Sequence, residues 1–134
     1  MKRLILMLVM MLSLVGIQAQ TIRNSNNSVL ATISSNGDVR NSNNSLVARI
    51  NSNGDIRDSN NRLIAKIDGN TVRNSNNSVV GYINNDGTVR NSNQSVLGRV
   101  NSDGTVRNSN NSVIGYAKGV PVKYAAIFFF FNLI

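Results

Sequence analysis

Cysteine, histidine, glutamate and tryptophan are absent from this chain, and proline occurs once, at Pro121. Without cysteine there is no disulfide, no thiolate nucleophile and no lipid anchor attached through sulfur. Without histidine or glutamate the commonest general base and the commonest transition-metal ligand are gone. The six acidic residues are all aspartate, and although serine is plentiful, only Asp or Lys is left to activate it. Neither an enzyme nor a cofactor or metal is expected. Aromatic residues make up 5 % of the chain, and the repetitive middle holds only Tyr82 and Tyr116. That is too few to stack on bases, so no nucleic-acid partner is expected despite a net charge of +8. No apolar run reaches the roughly 20 residues that a membrane-spanning helix needs.

What is present begins with Lys2 and Arg3, then an apolar run from Leu4 to Val15, then small or polar residues up to Ala19. This order predicts a signal peptide over residues 1–19 and export to the periplasm, cell surface or medium. No membrane span is expected after its removal.

From Ile22 onward one phrase recurs. An Ile or Val followed by Arg begins units at Ile22, Val39, Ile56, Val72, Val89 and Val106, with spacings of 17, 17, 16, 17 and 17 residues. A fixed short period marks a repeat architecture. Each unit runs on through an Asn-Ser phrase such as NSNN, a short apolar segment such as SVVGYI, and a turn with Asn-Gly or Asp-Gly.

The apolar segment alternates as a strand does. Val29, Ala31 and Ile33 share one face in the first unit, and the Ala position becomes glycine at Gly81, Gly98 and Gly115. Large, tiny, large predicts a crowded interior in which strands from several units approach closely. Leu30 opens the other face, and beyond it Thr32, Arg49, Lys66, Tyr82, Arg99 and Tyr116 vary as solvent permits. The array's one deletion falls at Asp68–Thr71, which predicts that glycine turns are free outer tips and that Asn-Ser phrases lie nearer the centre. Five hairpins, such as Leu46 to Asp58, are then followed by a final unpaired strand. One hairpin buries too little, at about 2 kcal/mol per apolar side chain, to offset about 1 kcal/mol or more per ordered residue. The units must therefore close into a ring or stack as a solenoid.

The leader, the 17-residue spacing of Asn-Gly and Asp-Gly turns and the C-terminal YAAIFFFF together resemble the small secreted five-fold β-flower proteins of bacteria. The resemblance implies an all-β closed toroid of five β-hairpin repeats around a pseudo-axis, and no established activity. A short β-solenoid is the alternative. Residues 20–117 would form the ring, and the apolar segment 118–134 would plug it or cover its base.

One column is a candidate site: Arg23, Arg40, Arg57, Arg73, Arg90 and Arg107. At one height in a ring, six guanidinium groups can grip carboxylate, sulfate or phosphate. Equally, each Arg can lay its stem on apolar surface and bond neighbouring carbonyls. The expected function is a non-enzymatic envelope or secreted module, structural or binding, with an anionic glycan as the leading partner. The alternative is a self-assembling, amyloid-like surface protein.

Overall fold

A computed structural model describes residues 20–134; the segment 1–19, where the signal peptide is expected, lies outside the described residues. Twelve strands follow one another: β1 Gln20–Asn24, β2 Val29–Ile33, β3 Asp38–Asn41, β4 Leu46–Ile50, β5 Asp55–Asp58, β6 Leu63–Asp68, β7 Thr71–Asn74, β8 Val79–Ile83, β9 Thr88–Asn91, β10 Val96–Val100, β11 Thr105–Asn108 and β12 Val113–Tyr116. One helix, α1, spans Val122–Phe130. Each strand pairs antiparallel with the next, and β12 pairs with β1 to close a barrel. The solenoid alternative does not form. The last strand, expected to be unpaired, is held on both sides, by β11 and by β1. The twelve strands join through two kinds of hairpin, one across the glycine turns and one across the Asn-Ser phrases.

Both connections use one backbone recipe. In the Asn-Ser phrase, Asn27 N–H donates to Asn24 O at 2.9 Å, and Asn27 has φ 68°. The Asn24 side chain accepts from the backbone N–H groups of Asn26 and Ser28 at 3.0 and 2.9 Å. In the glycine turn, Gly37 donates to Ser34 O at 3.0 Å with φ 91°. Asparagine tolerates the left-handed region where nothing stands nearby. Glycine is required where something does, because a Cβ on Gly37 would strike the carbonyl of Ile50 in the next unit.

That contact reverses the expected polarity. The residues Ser25–Ser28 are exposed, whereas Gly37, Asp38 and Val39 are buried. Gly37 O accepts from Ile50 N–H, and the same link joins Gly54 to Ile67, Gly87 to Val100 and Gly104 to Ala117, at 2.7–2.9 Å. Asn-Ser phrases are the free tips. Glycine turns lock each unit to the next. The deletion is tolerated because the short Gly69-Asn70 turn still delivers a carbonyl, Asn70 O, to Ile83 N–H at 2.8 Å.

A second correction concerns the strand faces. Arg23 stands opposite Val29 and Ile22 opposite Ala31, so Leu30 is the extra residue of a β-bulge. The bulge is present in all six Asn-Ser hairpins, carried by β2 in the first and by β4, β6, β8, β10 and β12 in the others. It turns Val29 out beside Arg23, where it is 37 % exposed, and Leu30 toward the core. Ile22, Ala31 and Ile33, with their repeats, face inward.

Helix α1 packs against this inner surface. Ala125, Ala126 and Ile127 have no exposure at all. Nine residues, VKYAAIFFF, do not hold a helix in water on their own; burial inside the strands does. Phe129, Phe130 and Phe131 lie against Gly115, Gly98 and Gly81, where an added Cβ would collide with each ring. The tiny column is glycine in the three units that meet a Phe ring, and alanine in the other three. No helix among the described residues is long and apolar enough to cross a membrane.

Candidate functional site

The outer wall carries a belt at one height. It combines the arginine column with the column that the sequence reading left to solvent. Around the ring the cross-strand partners are Thr32 with Arg40, Arg49 with Arg57, Lys66 with Arg73, Tyr82 with Arg90, Arg99 with Arg107, and Tyr116 with Arg23. Nine of these twelve residues are cationic. Alternation had placed Arg49, Lys66 and Arg99 outside, but only the ladder register shows that they sit directly beside the arginine column.

Each arginine of that column is anchored. Arg23 donates through Nη1 to Asn27 O, and the other five make the same bond to Asn44, Asn61, Asn77, Gln94 and Asn111, at 2.9–3.2 Å. Val29 and its repeats lie across the strand on the other side. The guanidinium is thereby held in place by one N–H, and in Arg23, Arg73, Arg90 and Arg107, which have no ion-pair partner among the described residues, the other four donors stay available. The structural role and the exposed charge belong to the same group.

Acids are unevenly spread along the belt. Among the described residues the three ion pairs are Arg40 with Asp38 at 4.0 Å, Arg49 with Asp38 at 2.6 Å, and Arg57 with Asp55 at 3.5 Å. The hydrogen bond from Arg49, and after it the positive charge of Arg49 and Arg40, holds the Asp38 carboxyl below its usual range. In the later turns the acid stands before the glycine instead. Asp86 and Asp103 accept from the backbone N–H groups of Thr88 and Thr105 at 2.9 Å, and these bonds lower both carboxyls.

A cleft of about 570 Å³ opens where β12 meets β1, lined by Gln20, Arg23, Asp103, Tyr116 and Lys118 among others. It marks the one junction in the ring that has no turn between its strands. Among the described residues no cluster of three or more Asp side chains is placed to hold a metal.

The family model for the 5-fold beta-flower protein matches residues 16–133. The chain belongs to that family. No curated protein and no solved structure matches it.

Proposed function

We propose that this β-flower protein is a non-enzymatic exported module of the cell envelope that grips anionic glycan through its outer belt. The observation that carries this reading is nine cations at one height on a closed wall, with the six column arginines oriented by their own hairpins. Oriented guanidinium groups suit carboxylate and sulfate. The leader-like residues 1–19 support export. We read the ring as a toroid of five glycine-turn hairpins, with β12 and β1 as a sixth, unjoined pair. Retention on immobilised heparin at moderate salt tests the binding, and fractionating cells with a mass for the mature chain tests export. Substituting Arg40→Ala together with Arg90→Ala should release the protein at lower salt; unchanged retention would remove the basis for the reading.

Self-assembly is the competing class. A closed ladder has no unpaired strand among the described residues to recruit another chain. Fibres would require the ring to open. A monodisperse monomer on sizing, with no thioflavin signal on ageing, is the expected outcome.

A further inference from the structure

Three cross-strand pairs on the outer wall are cation against cation; Lys66 with Arg73 is one, and the other two, both arginine with arginine, share one geometry and differ in their surroundings. Arg49 stands opposite Arg57, and Arg99 stands opposite Arg107. Like charges directly opposite on neighbouring strands repel. Around the first pair, the residue after each turn glycine is an aspartate: Asp38 receives Arg49 at 2.6 Å, and Asp55 lies 3.5 Å from Arg57. Around the second pair the corresponding residues are Thr88 and Thr105. Thr88 Oγ1 accepts from Arg99 Nη2 at 3.4 Å. Among the described residues neither Arg99 nor Arg107 has an ion-pair partner.

The second pair also lines a groove of about 210 Å³ between the fifth and sixth Asn-Ser hairpins, together with Asn108, Ser109 and Asn111. Arg107 is fixed there by its bond to Asn111 O at 3.0 Å. Neighbouring strands run about 4.8 Å apart, so two guanidinium groups on them can close on a single oxyanion. Tyr82 and Tyr116 stand two strands and one strand away on either side, at the same height. Aromatic faces flanking a cationic pair suit the apolar faces of sugar rings.

We propose that Arg99 and Arg107 form an anion clamp that takes one sulfate or carboxylate group of a glycan chain. This rests on the reading that the belt binds such chains. The turn residues decide which arginine pair is open: Asp38 and Asp55 pair with the first, whereas beside the second Asp86 and Asp103 bond the backbone of Thr88 and Thr105 and act on Arg99 and Arg107 only from beyond ion-pair distance.

The test is titration of the folded protein with heparin, with polygalacturonate and with a single-stranded oligonucleotide, at two salt concentrations. Unfolding curves confirm that each variant is native. Arg99→Gln with Arg107→Gln should weaken heparin binding at least tenfold. Thr88→Asp with Thr105→Asp should weaken it comparably while removing no arginine, and Asp38→Asn with Asp55→Asn should strengthen it by opening the first pair. Arg62→Gln with Lys118→Gln lowers the net charge equally outside the belt and should cost less than threefold. Equal losses in this last variant and in the Arg99/Arg107 variant would overturn the clamp and leave the belt reading standing. Failure of the wild type to bind either glycan would overturn both. Tighter binding of the oligonucleotide than of heparin would overturn the glycan. Polygalacturonate binding as strong as heparin assigns the group as carboxylate, and markedly weaker binding assigns it as sulfate.

Discussion

Asn24, Asn41, Asp58, Asn74, Asn91 and Asn108 each cap a hairpin tip by accepting two backbone N–H groups on one side-chain oxygen, at 2.9–3.0 Å. A carboxylate serves as well as an amide there, as Asp58 shows. Asn74→Ala should therefore cost about 1 kcal/mol, measured by urea unfolding, whereas Asn74→Asp should cost little. Gln94 is the one tip residue with φ near 68° that is not asparagine. Replacing it with Asn should stabilise by a few tenths of a kcal/mol, because asparagine enters the left-handed region more readily. Acid sensitivity is also set residue by residue. Asp38, Asp86 and Asp103 have folded carboxyls held below the ordinary value of 3.8. Their contribution is thus present above that value and is lost as pH falls through the depressed folded values. Thermal unfolding should be insensitive to pH near neutrality and should fall steeply only below about pH 4. A steep decline starting near pH 6 would show that other groups govern it.

At the scale of elements, the strands follow from alternation and period alone, and so does the arginine column. The bulge does not. Alternation carried from Ala31 back to Val29 assumes an unbroken pleat, and the extra residue Leu30 reverses it. The roles of the two turns were equally hidden, since both have the same hydrogen bonds and a left-handed residue. What separates them is the backbone of the next unit above the glycine at Gly37, Gly54, Gly87 and Gly104, a contact between units. The deletion at Asp68–Thr71 pointed the wrong way because Asn70 supplies the carbonyl that the lost residue would have given. For α1, the apolar residues 125–131 signalled burial without signalling a helix: Phe is a weak helix former, and Pro121 gives no side-chain cap. Truncation after Lys123 removes Ala125, Ala126 and Ile127 from the interior. It should abolish cooperative unfolding or solubility. Ile127→Ala, a milder change, should cost about 2–5 kcal/mol. A soluble truncated chain with an unchanged melting transition would show that the helix is dispensable.

For the whole molecule, stability is a matter of closure. Each glycine turn hands one carbonyl forward to the next unit, so the units are linked in series, and β12 on β1 completes the circuit. Phe129 and Phe130 of the helix and Phe131 just after it then touch Gly115, Gly98 and Gly81 on three successive units, tying the seam side of the ring to a common interior. A wall without edges is what allows nine cations to sit at one height without recruiting other strands. The belt, and any ligand it holds, depends on that circuit.

The circuit is tested most directly by joining its ends. Arg23 and Tyr116 are cross-strand partners at the seam, and the chain has no native cysteine to compete. In an Arg23→Cys, Tyr116→Cys variant, mild oxidation of dilute folded protein should give a disulfide within one chain in high yield, read as a non-reducing gel shift of the monomer. Free thiols throughout, or disulfides only between chains, would contradict a ring closed by its first and last strands.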